Sequence, residues 1–280
     1  MVIKNSLPSS KMSVKDWIHD RETRLRLVFT TKEVREAFPA LSAQVVKNDL
    51  GRHAKAGRIE AVHRGVYVIV PAKYERRGAV PPTFYMDSLM RILGRDYYFG
   101  LLTAARMWGA AHQLPMAETV VTTRPDMSAS RRKNPQVAWC YRDRIPVRFV
   151  RETKGEYDRV RVSSPELTAL DLVRFERFAG GLSRVATVLS ELSERTDFSD
   201  AAGSGLLAAA TVPAVQRLGH LLEAVLGDRA RADVLYAQLE ASVGRRFKRV
   251  PLDRRGRGAA FAVDDRWKVD VNCRIERDET

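Results

Sequence analysis

Residues 56–71 read AGRIEAVHRGVYVIVP, two β-branched runs, Ile59 to Val62 and Val66 to Val70, that meet at His63-Arg64-Gly65. Gly65 supplies the positive φ that a tight turn needs, so the stretch predicts a hairpin with a basic tip. Directly upstream, LSAQVVKNDLGRHAKAG at residues 41–57 predicts a helix. Ser42 caps its start and Leu41 can staple onto Val46 across the first turn. Val46, Leu50 and Ala54 recur at i, i+4 and i+8 and face inward, which leaves Ala43, Gln44, Lys47 and Asn48 outside near the helix start; Gly57 ends the helix. Before it, VFTTKEVREAFP at residues 28–39 pairs Thr30 with Glu33 as a capping box, predicting a short helix from Thr31 to Phe38 that Pro39 stops. Val14, Trp17, Ile18 and Leu25 mark an earlier amphipathic helix over Val14 to Leu27. Helix, short helix, turn, helix, hairpin is the order of a winged helix-turn-helix. In that arrangement the second helix of the motif enters the major groove and the hairpin tip reaches a phosphate or the minor groove. Gln44 or Asn48 can read an adenine edge, Lys47, Arg64, Lys32 and Arg35 can neutralise phosphates, and His63 lies at the same tip.

Charge agrees with this placement. The chain of 280 residues carries a formal net charge of +14 and a pI near 10.1. Its first 80 residues hold 16 Lys or Arg against 8 Asp or Glu, a far higher density of excess charge than the remainder. Such an excess points to a polyanionic partner, nucleic acid being the commonest. No run of about 18 apolar residues could span a bilayer, and the first residues, MVIKNSLPSSKMSVKDW, lack the apolar core of a secretory signal, so a cytoplasmic protein with no membrane partner is expected. Cys140 and Cys273 sit far apart in strand-like stretches and are expected as buried free thiols.

The Gly, Pro and charge of AKYERRGAVPPTF put a seam near residues 71–82. The expected division is a winged helix-turn-helix domain over residues 1–77 and a larger mixed α+β domain over residues 78–280. In the latter, helical patterns run over Phe84 to Leu93, Thr103 to Gly109, Pro165 to about Ala179, Leu182 to Leu192, Pro213 to Leu226 and Arg231 to Val243. TVVTT, VAWCYR, PVRFV and RVRV read as strands, and strands return after Phe247.

Chemistry is sparse. There is no Walker-type or G-x-G-x-x-G phosphate loop, no G-x-S-x-G elbow, and no metal-ligand spacing among His19, His53, His63, His112, His220 and the cysteines. No catalytic residue, cofactor or metal is expected. The one constellation to weigh is Asp126 with Glu152-Thr153-Lys154, which has the residue types of a magnesium-dependent nuclease: two carboxylates for the ion and a lysine to orient water. About one acid-x-Lys match is expected by chance in this composition, and these residues read as loops, so a nuclease is the alternative rather than the leading function. A third alternative is a module whose C-terminal part holds a partner protein. The RRGRG loop from Arg254 to Gly258 could touch a phosphate backbone.

Six stretches in order, LSAQVVKNDLGRHAKAGRIEAVHRGVYVIVP, YYFGLLTAARMWGAAHQLP, SSPELTALDLVRF, AGGLSRVATVLSEL, VQRLGHLLE and WKVDVN, resemble the AbiEi family of antitoxins of bacterial type IV toxin-antitoxin and abortive-infection systems, over nearly the whole chain. The resemblance implies an N-terminal winged-helix domain that binds inverted repeats upstream of its own operon as a transcriptional repressor. It implies a C-terminal domain that counteracts a nucleotidyltransferase-like toxin without a stable complex, and phage defence as the setting. Carried to this chain, the DNA-reading positions are Ser42, Ala43, Gln44, Lys47 and Asn48, with Arg64 in the wing. The chain departs from the family at Ala43, where relatives often carry a basic or polar residue, a change expected to weaken or re-aim base contact, and at His53, usually apolar, which is expected to pack inward. Two inverted half-sites imply two protein copies on one operator.

Overall fold

A computed structural model describes residues 12–77, 79–110, 116–127, 136–201, 203–244, 247–256 and 258–276. Residues 1–11, part of the break RPDMSASRRKNP, residues 111–115 of the AAHQLP stretch and Arg257 of the basic loop lie outside the described residues. The chain forms two compact units. One comprises Met1–Asp96, Thr123–Trp139 and Glu152–Val160, the other Tyr97–Thr122, Cys140–Arg151 and Arg161–Thr280.

The first unit begins with α1 (Val14–Thr23), which Ser13 and Asp16 close with a reciprocal capping box. β1 (Val28–Thr30), α2 (Thr31–Ala37), α3 (Ala43–Lys55), β2 (Ile59–His63) and β3 (Val66–Ile69) follow. Thr30 and Glu33 form the expected box at the start of α2, and Ser42 caps α3 by accepting from the Val45 N–H. The strands make an antiparallel sheet in the order β1-β3-β2, with Gly65 at φ +73° in the turn. Val14, Ile18, Phe29, Val34, Val46, Leu50, Ile59, Val62 and Val68 are buried among these elements. Phe29 stacks on Tyr67 at 5.6 Å and meets Trp17 edge-on at 5.4 Å. One reading is corrected here, and one element is not anticipated by the sequence. α1 ends at Thr23, because Leu25 takes a left-handed φ of 57° and is 59% exposed as the chain turns into β1. β1 itself has only three residues between two helices, too short for an alternation to show. α4 (Met86–Ile92) completes the helices of this unit, and the Ser88 N–H donates to Asp158 at 2.7 Å.

The second unit is centred on β4 (Tyr97–Phe99), buried at all three positions. β5 (Glu118–Thr123) lies antiparallel to it and β8 (Arg159–Ser163) parallel; the order of neighbouring strands is β6-β5-β4-β8-β7, with β6 (Val137–Arg142) and β7 (Val150–Lys154) divided between the two units. A strand hydrogen-bonded on both sides and covered on both faces reads as a continuous apolar run, which explains why Tyr97-Tyr98-Phe99 carries no alternating signal. PVRFV is not a strand throughout: a 3-10 turn over Val147–Phe149 precedes β7, so the extended run begins at Val150. α5 (Leu101–Met107), α6 (Pro165–Arg174), α7 (Leu182–Leu192), α8 (Leu206–Ala209), α9 (Val212–His220) and α10 (Arg229–Val243) follow, with a π turn over Leu221–Val225 after α9. Ser164 caps α6 with Pro165 in its first turn. A small sheet of order β10-β11-β9 closes the unit, from Ala262–Asp264, Val269–Val271 and Val250–Pro251. The whole is mixed α+β.

Both cysteines are free, Cys140 buried and Cys273 half-buried. Burial, with the Asp171 charge adding to it, pushes the Cys140 thiol up to about 12. Since the thiolate is the reactive form, Cys140 should resist a disulfide-exchange thiol reagent in the native protein at neutral pH and react once the chain is unfolded. Stoichiometric labelling of Cys140 without denaturant, read by peptide mass, would contradict this burial.

Candidate nucleic-acid interface

α3 presents a polar face because its apolar residues are spent inward. Val46 and Leu50 are buried, while Ser42, Ala43, Gln44, Lys47 and Asn48 are exposed along the first two turns. Gln44 donates through Nε2 to Asn48 Oδ1 at 2.8 Å, so the two amides hold each other in register along one stripe. The first turn of α3 holds no acidic residue, which leaves the positive end of the helix dipole uncompensated, while Arg52, His53 and Lys55 lie in its last turn. Arg52 extends the Gln44–Asn48 stripe by another turn; it is 79% exposed and pairs with Asp49.

The hairpin tip is tied to the start of α2. The Thr31 N–H donates to the Gly65 carbonyl at 2.9 Å, and the Thr31 hydroxyl reaches the same oxygen at 3.4 Å. Arg64, exposed at the turn, is thereby anchored beside α2, where Lys32 and Arg35 are also exposed. Lys32 stands 3.8 Å from Glu36 at 85% exposure, a pair too solvated to hold its charge back from another anion. His63 is half-buried, and burial together with the Arg95 charge holds its imidazole below the usual range. That makes it a neutral hydrogen-bonding group at neutral pH rather than a cation. His53 is likewise half-buried, with its imidazole lowered by burial and then by Arg58, as an inward-packing residue would be. Val45 joins this face without being among the positions the sequence singles out. It is 43% exposed beside Gln44, and its methyl groups can lie against a thymine methyl. A β-branched residue next to Val46 reads as core; the i, i+4 spacing from Val46 to Leu50 is the signal that excludes it.

The nuclease constellation is placed differently from its expectation. Glu152, Thr153 and Lys154 lie on strand β7 and not in a loop, yet all three are exposed, and Glu152 stands 3.7 Å from Arg159. Asp126 is exposed just after the Arg124–Pro125 bond. Among the described residues no group of three or more His, Cys, Asp or Glu side chains could hold a metal ion. No helix among them is long and apolar enough to cross a membrane.

The described residues thus combine a mixed α+β architecture with an exposed polar face on α3. Residues 98–224 match the family model of the AbiEi antitoxin C-terminal domain, and the chain thus carries an AbiEi-family antitoxin domain. This supports an antitoxin of a type IV toxin-antitoxin system, a role that is in general non-enzymatic and implies a toxin partner. Among solved structures, the RV2827C protein from Mycobacterium tuberculosis is similar, with a TM-score of 0.65 at 12% identity over 96% of this chain and 94% of that chain. At that identity the likeness is one of fold. No curated protein matches the sequence.

Proposed function

We propose that the chain is a DNA-binding antitoxin that represses its own operon. In this reading residues 1–77 are a winged helix-turn-helix domain, with α2 and α3 as the motif, β2 and β3 as the wing, and α3 entering the major groove of an inverted-repeat operator. Residues 78–280 are the antitoxin domain, acting in the cytoplasm against a nucleotidyltransferase-like toxin without a stable complex. The observation that carries the reading is the exposed Ser42–Asn48 face, joined to an antitoxin domain and backed by the basic residues Lys32, Arg35, Lys47 and Arg64. Gln44 and Asn48 would exchange their mutual bond for the edge of an adenine, while Lys47 and Arg64 hold phosphates.

The test is binding of the purified protein to its own upstream DNA and to a scrambled duplex at two salt concentrations. Any basic protein binds DNA at low salt through counterion release, so the preference that counts is the one that survives near roughly 200 mM salt. A preference of about a thousandfold is expected for the native duplex. Lys47→Ala and Arg64→Ala should weaken binding to all sequences alike and lower the salt slope by about one each, whereas Gln44→Ala should cost about 1–3 kcal/mol and relax the preference at one base pair. Equal and weak binding of both duplexes, or unchanged affinity in all three variants, would remove α3 and the hairpin tip from the reading.

A further inference from the structure

The second unit has a basic cleft that the operator reading does not use. Arg174, Phe175, Glu176, Arg177, Phe178, Arg254 and Arg255 line a space of about 250 Å³. A second space of about 310 Å³ shares Glu176, Arg177 and Arg255 and continues to Arg274. The cleft is built where two parts of the chain meet: the 3-10 turn Glu176–Ala179 after α6, and the Asp253–Gly256 turn after β9. Glu176 and Ala179 are buried and anchor the first turn, so Arg177 and Phe178 between them are pushed outward, and Gly180 and Gly181, both at positive φ, let the chain reverse into α7.

Three observations say what the cleft takes. Arg177, Arg254 and Arg255 form no ion pair with any described residue, and among the described lining residues of the two spaces five arginines stand with two carboxylates, Glu176 and Asp253. The excess charge bears on its neighbours: Arg217, buried close by, has its guanidinium lowered by burial and next by the charge of Arg254, a like-charge approach that a bound anion would relieve. Finally, Phe178 is 51% exposed at the rim, a large aromatic face left in water beside a row of guanidinium groups. Aromatic faces beside a basic track are how proteins hold unpaired bases, the ring stacking on the base and the cations following the backbone. Bases inside a duplex cannot reach such a ring, whereas an unpaired base can turn out to stack on it.

We propose that this cleft is a second nucleic-acid site that binds a single-stranded segment, with phosphates on Arg177, Arg254 and Arg255 and a base stacked on Phe178. It uses none of the residues proposed above to contact the operator duplex.

The experiment is anisotropy of the full chain with a fluorescent oligouridylate of about a dozen nucleotides. Phe178→Ala should weaken binding by roughly tenfold and Phe178→Tyr should restore it, because the stacking face is kept. The double variant Arg177→Ala, Arg255→Ala should lower the slope of log K against log salt by about 0.7 for each phosphate no longer neutralised. Lys47→Ala, measured in parallel, should leave oligouridylate binding in place while weakening the operator duplex. Far-ultraviolet circular dichroism of each variant separates a binding defect from a folding defect. The proposal is overturned if oligouridylate does not bind, if Phe178→Ala and the double arginine variant bind as the parent does, if Lys47→Ala alone abolishes binding, or if polyglutamate of similar length competes as well as the oligonucleotide.

Discussion

Asp171→Ala should destabilise the protein by about 3–5 kcal/mol, enough to exhaust much of the stability of an ordinary domain. Asp171 is wholly buried on α6, where its Oδ2 accepts from the Tyr98 hydroxyl of β4 at 2.5 Å. Its Oδ1 stands 3.1 Å from Arg142 Nη2, which gives one of its two hydrogens to the Ala209 carbonyl at 2.9 Å, and Oδ1 itself accepts no hydrogen bond. The Arg142–Asp171 attraction is one of charge, in a place where both side chains are all but excluded from water. Burial raises the Asp171 carboxyl, and the Arg142 charge and Tyr98 hydroxyl work against that shift. Removing the carboxylate leaves the guanidinium buried without a counter-ion, and that desolvation cost, not the loss of an attraction, sets the size of the effect. Asp171→Asn should cost nearly as much, because it keeps the shape and an acceptor for Tyr98 but not the charge. Replacing the pair together, Arg142→Met with Asp171→Leu, should recover most of the loss, since neither charge then remains to be buried. Tyr98→Phe should cost about 1.5–3 kcal/mol. Denaturant midpoints at constant m measure all four, and an Asp171→Ala protein within about 1 kcal/mol of the parent would refute the buried-charge account.

The same pair shows what was legible in the sequence. Tyr98 and Asp171 belong to YYFGLLTAARMWGAAHQLP and SSPELTALDLVRF, two stretches that a reading of residues could only place in order. In the structure they are joined by that hydrogen bond and by the Trp108 Nε1–H donating to the Ser163 carbonyl at 2.8 Å. These stretches carry packing and buried polar pairing rather than exposed chemistry, which is why a search for catalytic spacing finds nothing in them. The segment from Thr30 to Ile69 was legible for the opposite reason. Its caps, its i, i+4 apolar spacing and its turn glycine are local signals, and local signals need no partner elsewhere in the chain. What escaped was non-local: three-residue β1 and fully buried β4, whose extended form is fixed by neighbouring strands, and Glu152 and Lys154, drawn onto β7 at the sheet margin. The basic cleft escaped too, since Arg177 and Arg255 lie 78 positions apart along the chain.

Gly219→Ala should destabilise the protein by about 3 kcal/mol, the upper end of what overpacking a core costs. In an isolated helix the change would help by roughly 0.5–1 kcal/mol, because alanine surrenders less backbone freedom than glycine. Here the sign is reversed by Trp267. A Cβ on Gly219 of α9 would stand inside contact distance of the six-membered ring of Trp267, which is fully buried and cannot step aside. Its indole N–H donates to Glu223 of the π turn at 2.9 Å, its backbone N–H to Asp264 at 3.0 Å, and its carbonyl accepts from Gln216 at 2.8 Å. Tyr236 of α10 meets the ring edge-on at 5.2 Å. Asp264 is itself engaged by His220, the residue next to Gly219, at 2.7 Å. The final strands are therefore fastened to α9 by an aromatic ring seated on a glycine, together with the hydrogen bonds of Gln216, Arg217 and His220. VQRLGHLLE and WKVDVN, far apart in sequence, are the two halves of that seat. A size exchange distinguishes this contact from any other loss: Trp267→Leu alone leaves a cavity and should cost about 3 kcal/mol, but combined with Gly219→Ala the added methyl group occupies part of the vacated space. The double variant should then be less destabilised than the sum of the two single ones by about 1 kcal/mol or more, a coupling that contacting residues show and distant ones do not. Additive losses would mean that the glycine is required for some reason other than the ring above it.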